Sequence, residues 1–154
     1  MKNIKQYLIK EFKLNKNYKN PYNYHPKDKK ELKDIVKKLI DERGFDADLN
    51  DIDVSQITDM SQLFYSSEFN GDISGWDVSN VTNMNHMFAG SEYSGKNGSI
   101  ENWDVSNVIH MRFMFSHSQF DVDLSKWNVR NGVHIDDMFW KCPLEGNEPA
   151  WYRK

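Results

Sequence analysis

The chain has a single cysteine, Cys142, so no internal disulfide can form and nothing in its composition calls for an oxidising compartment. Long hydrophobic runs are missing too: no stretch approaches the roughly 18 consecutive apolar residues that a membrane-spanning helix needs. Residues 1–12 interrupt their apolar positions with lysine, so they contain no secretory h-region, and a cytoplasmic location is expected. No glycine-rich phosphate loop and no G-x-S-x-G elbow occurs. Cys142 precedes Pro143 in the terminal tail, with no activating basic or histidine signature around its thiol. No catalytic residue, cofactor or metal is therefore assigned, and the chain is not expected to be an enzyme. What is present, 38% hydrophobic and 14% aromatic residues in 154, suffices for the packed core of one domain.

Charge divides unevenly. Residues 1–44 carry 13 Lys and Arg against 6 Asp and Glu, a balance of +7, whereas residues 45–154 carry 7 against 17, a balance of −10. The pattern predicts a basic helical cap over 1–44, a repeat body over 45–140 and a capping tail over 141–154. In the cap, Ile4, Leu8 and Phe12 lie on one face of a helix expected over about 2–12. A second helix is better signalled. Asp28 and Glu31 have capping-box spacing, Leu32, Ile35, Val36, Leu39 and Ile40 follow at helical spacing, and Gly44 supplies the stop. Both apolar stripes need a surface to pack on, and the open end of the repeats offers one.

Four segments of the body align. The first holds Leu49, Ile52, Asp53, Val54, Ser55, Ile57, Met60, Leu63 and Phe64, and the second Ile73, Trp76, Asp77, Val78, Ser79, Val81, Met84, Met87 and Phe88. The third holds Ile100, Trp103, Asp104, Val105, Ser106, Val108, Met111, Met114 and Phe115. The fourth, with Leu124, Trp127, Asn128, Val129, Arg130, Gly132, Ile135, Met138 and Phe139, departs from the others. Each unit is apolar at positions 1, 4, 6 and 9, the opening of a leucine-rich repeat. Alternation at Trp76 and Val78 predicts a short parallel strand, and Met84, Met87 and Phe88 predict a helical turn. The expected fold is an α/β solenoid of four such coils behind an N-terminal helical cap. The recurring Met and Phe residues read as stacked core, and so does the tryptophan ladder, provided its indole N–H groups find acceptors. Trp151 and Tyr152 are expected to shield the last coil.

The run Trp-Asp-Val-Ser-Asn-Val-Thr-Asn-Met-Asn-His-Met-Phe at 76–88 resembles the BspA-like leucine-rich repeats, also called the bacterial surface protein repeat or DUF285. Ile52–Phe64 and Trp103–Phe115 match nearly as well. The resemblance covers about residues 45–144, and 25–44 look like the helical lead-in of such repeats. It implies a protein-interaction module without catalytic residues. Proteins of this kind occur in bacteria, mobile elements and some protists, commonly as surface proteins or lipoproteins linked to adhesion.

In such a solenoid the partner is expected on the strand face. The residues assigned to it are Asp51, Asp53, Asp77, Ser79, Asn102, Asp104, Ser106, Lys126, Asn128 and Arg130, which grade from acidic to basic. Asp77→Lys or Asp104→Lys should then weaken binding with little change in Tm. The aspartates have a plainer role open to them as well, accepting backbone N–H groups in Asx-type turns. Calcium is not favoured, because the glycine-rich nonapeptide of calcium-binding β-helices is absent. His110 and His134 share a repeat offset with Asp59 and Asn83 and read as an exposed column. The partner expected is a protein and not a nucleic acid, and the chain a monomer. Two alternatives stand beside this reading: a phage or mobile-element mimic that blocks a nucleic-acid-binding protein with its acidic body, and a fragment of a bacterial surface adhesin.

Overall fold

A computed structural model describes residues 20–152, so the helix expected over 2–12 lies outside the described residues. Helix α1 spans Lys29–Arg43. The Asp28 carboxylate accepts the Glu31 N–H at 2.9 Å, and Glu31 Oε2 accepts the Lys27 N–H at 2.8 Å, so two donors at the helix start are satisfied. At the other end Gly44 takes φ 90° and donates its N–H to the Ile40 carbonyl. Leu32, Val36 and Leu39 are buried and merge with the core of the repeats, which continues to Cys142.

The expected α/β solenoid, with a strand and a helical turn in each coil, does not form. Among the described residues α1 is the only helix, and four isolated parallel bridges join the coils, with a fifth from Tyr24 to Ile52, without a sheet. The apolar residues at positions 1 and 4 and at 6 and 9 of each unit, on either side of the expected strand, are three apart because they close β-turns. The N–H groups of Ile52, Trp76, Trp103 and Trp127 donate to Leu49, Ile73, Ile100 and Leu124 at 3.0–3.2 Å. Those of Ile57, Val81 and Val108 donate to Val54, Val78 and Val105 at 2.9–3.0 Å. An N–H spent inside its own turn is lost to a neighbouring strand. The helical turns fail because the chain becomes left-handed within them. Gln62, His86, Phe113 and Asp137 share one repeat position at φ 52–58°, and Ser66, Gly90, His117 and Lys141 share another at φ 51–66°. A right-handed helix cannot pass through such residues.

A one-way ladder takes the place of both elements. The N–H groups of Met60, Gln62, Phe64 and Ser66 donate to the carbonyls of Asn83, Asn85, Met87 and Ala89 in the next coil, while those of Leu63, Tyr65 and Ser67 close turns within their own. The pattern recurs from Met84, His86, Phe88 and Gly90 to His110, Arg112, Met114 and Ser116, and from Met111, Phe113, Phe115 and His117 to His134, Asp136, Met138 and Trp140. All twelve bonds are 2.7–3.0 Å long and run in the same direction along this face.

The ladder holds the rings in register. Phe64, Phe88, Phe115 and Phe139 stack at 5.5, 5.5 and 5.8 Å, with Phe69, Tyr93 and Phe120 in a second column at 6.2 and 6.0 Å. Met60, Met84, Met87, Met111, Met114 and Met138 are buried, as the core reading requires. The indole N–H groups of Trp76, Trp103 and Trp127 reach the carbonyls of Leu49, Ile73 and Ile100 at 2.9, 3.3 and 2.9 Å. Trp151 extends this column from the tail: its Nε1 donates to the Leu124 carbonyl at 2.8 Å, and its ring stacks 6.2 Å from that of Trp127. No helix among the described residues is long and apolar enough to cross a membrane.

Candidate interaction surface

The face expected to bind a partner divides into an engaged half and an open half. Asp51 accepts both Arg43 guanidinium nitrogens at 2.9 Å and the Asn23 amide, and the Arg43 bond holds its carboxyl below the usual range. Asp53 accepts the N–H and hydroxyl of Ser55 and lies 3.5 Å from His25. Asp77 and Asp104 do the same with Ser79 and Ser106, at 3.1–3.2 Å to nitrogen and 2.6 Å to oxygen. The aspartate column is thus the locking element of an Asx turn, repeated coil after coil. Asn102, Lys126, Asn128 and Arg130 are exposed, and Lys126 Nζ lies 3.4 Å from Glu101.

The turn face, which carries the one-way ladder, presents a different chemistry. Asp59, Asn83, His110 and His134 form a continuous column of parallel bridges, and the two imidazoles stack at 5.1 Å. Burial pushes the Asp59 carboxyl up, but the hydroxyl and N–H of Ser61 and the Lys29 ammonium 3.6 Å away outweigh it and hold the carboxyl low. Arg112 Nε donates to Asp136 at 2.6 Å, and its Nη2 lies 3.3 Å from His134 Nδ1. That bond keeps the Asp136 carboxyl below its ordinary range. No group of three or more His, Cys, Asp or Glu among the described residues is placed to hold a metal ion.

Aromatic side chains stand outside the core on this same face. Tyr65 is 55% exposed and Trp140 43%, both at one repeat position whose other occupants are the small Ala89 and Ser116. Half-buried Phe113 stacks on His86 at 4.9 Å, and Tyr65 meets His86 edge-on at 6.4 Å. His117 packs edge-on against Trp140 at 4.7 Å, with the Lys141 ammonium 4.8 Å from the same ring. The repeat pattern does not single these residues out, because positions 62, 65 and 66 of the first unit and their equivalents vary from coil to coil. The signal was present nonetheless: Tyr65, Phe113 and Trp140 are aromatics at positions the core pattern does not use.

The family described as Mycoplasma protein of unknown function, DUF285, matches residues 30–151. No curated protein and no solved structure matches the chain.

Proposed function

We propose that this chain, which belongs to the DUF285 family, is a non-catalytic module that binds another protein through its turn face. One observation carries the reading: Tyr65 and Trp140 are exposed aromatics on a hydrogen-bonded ladder that does not need them for its core. Tyrosine, tryptophan and arginine dominate binding energy at protein interfaces, because a rigid ring buries much area at little entropic cost. His86 meets the Tyr65 ring and stacks on Phe113, and His117 meets the Trp140 ring. The likeness of 76–88 to the BspA-like repeats, commonly found in adhesion proteins, supports the same reading.

The test is a tagged pull-down from native lysate at low and moderate salt, followed by mass spectrometry, with wild type beside a Tyr65→Ala/Trp140→Ala double variant. Wild type should retain a stoichiometric protein at moderate salt, and the variant should lose it while its Tm stays within about 2 °C of wild type. Equal retention by both proteins removes the turn face as the site.

A further inference from the structure

The last coil loses, over residues 128–133, every device that closes the same corner in the coils before it. Asn128 and Arg130 stand where those coils have the Asp-x-Ser lock. Gly132 replaces the buried Ile57, Val81 and Val108, and the turn bond those residues make to Val54, Val78 and Val105 has no counterpart from Gly132 to Val129. Asn80 and Asn107 tether the corner by donating to the Ser55 and Ser79 carbonyls at 2.7 Å, and Asn131 makes no such bond to Ser106. The N–H groups of Met60, Met84 and Met111 each enter the next coil, whereas Ile135 at the same position has no acceptor among the described residues.

These losses surround a cavity of about 340 Å³ lined by Val129, Arg130, Asn131, Gly132, Val133, Ile135 and Trp151. A Cβ built on Gly132 would meet nothing within 4 Å, so the space is open where the earlier coils carry a branched side chain. Arg130 is the only charged residue in the lining, and no ion pair holds its guanidinium among the described residues. Arg130, Asn131 and the Ile135 N–H are donors in a lining that is mainly polar, and Val129, Val133, Ile135 and the Trp151 ring supply its smaller apolar part. Cavities of this size commonly bind small molecules through such a combination.

We propose that this cavity at the end of the stack is a carboxylate-binding pocket, which takes the anionic end of a ligand carrying a small aliphatic group. The guanidinium pairs with the carboxylate oxygens, and the aliphatic group fills the space that Gly132 leaves. The site lies apart from the turn-face aromatics, so it stands or falls independently of the proposed partner surface.

The probes are N-acetyl-leucine, its C-terminal amide, and a tripeptide ending in leucine with a free carboxylate, titrated into the full chain while amide and indole N–H shifts are followed by NMR. The acid should give saturable shifts at residues 129–135 and at the Trp151 indole, and the amide should bind about tenfold more weakly or less. Arg130→Gln, a surface change, should weaken the acid by a similar factor and leave the amide unaffected. Tighter binding of the tripeptide identifies a peptide terminus as the source of the carboxylate, and equal binding identifies a free acid. Equal affinity for acid and amide, an unchanged affinity in Arg130→Gln, or no saturable shift at these residues overturns the proposal.

Discussion

At the scale of single residues, the aspartates at 53, 77 and 104 take the Asx-turn role that their spacing to a following serine offered. Each carboxylate accepts from the serine two residues later. Substitution of these positions should therefore change stability first. Asp104 is exposed, so its replacement leaves no cavity, yet Asp104→Ala removes two hydrogen bonds and should cost about 1 kcal/mol, a Tm loss of roughly 4 °C. Asp104→Asn keeps an acceptor for the Ser106 N–H and should lose less. Thermal denaturation of the two variants checks this, and equal Tm values for wild type and Asp104→Ala would exclude the lock. Asp104→Lys breaks the same two bonds, so its Tm should fall as well.

At the scale of the element, the capped helix and the inward residues were legible, whereas the backbone path was not. The N-cap, the stop at Gly44 and the inward face of α1 follow from local chemistry written within a few residues. The Met, Phe and Trp positions follow from recurrence at fixed offsets. Apolar spacing of three or four fits a helical turn, and it fits equally well a chain of β-turns that brings every third residue inward. What separates the two is the sign of φ at Gln62, His86, Phe113 and Asp137, and none of these is the glycine that would announce it. Gln62 is exposed and offers a clean test of the left-handed backbone. Gln62→Val places a β-branched side chain at φ 58° and should cost about 1–2 kcal/mol, whereas Gln62→Gly should match or slightly exceed wild type. A helical turn would reverse that order. Urea denaturation midpoints distinguish the two outcomes.

At the scale of the whole molecule, the charge imbalance between cap and body becomes a set of contacts across their junction. Arg43 grips Asp51 at 2.9 Å, and Lys29 reaches Ser61 at 2.5 Å and Asp59 at 3.6 Å. The folded Asp51 carboxyl titrates below its usual range, so its stabilisation is complete above the unfolded value near pH 4 and is lost as pH falls through the folded value. Asp51→Asn should lower stability by about 1 kcal/mol near neutral pH. The gap in Tm between wild type and variant should stay constant from pH 7 to about 5 and close below about pH 4. A gap that persists into acid would mean that Asp51 acts through its shape and not its charge. The turn-face aromatics escaped the sequence for a reason at this scale as well: their meaning comes from neighbours 23 to 27 positions away, such as Trp140 beside His117 and Phe113 beside His86.

The direction of the ladder also determines how the chain can meet copies of itself. The twelve ladder bonds are all donated toward the C-terminal end, so the first coil keeps the carbonyls of that register and the last coil its N–H groups, while Thr82, Ile109 and His134 donate back to the coil before them. Two donor ends brought together have nothing to exchange, and α1 is tied to the first coil by Lys29 at Ser61 and by Arg43 at Asp51, with its apolar face in the shared core. An array of stacked coils with both ends bare is a seed for a fibre. Here the first coil is not bare, because α1 joins its core to that of the stack.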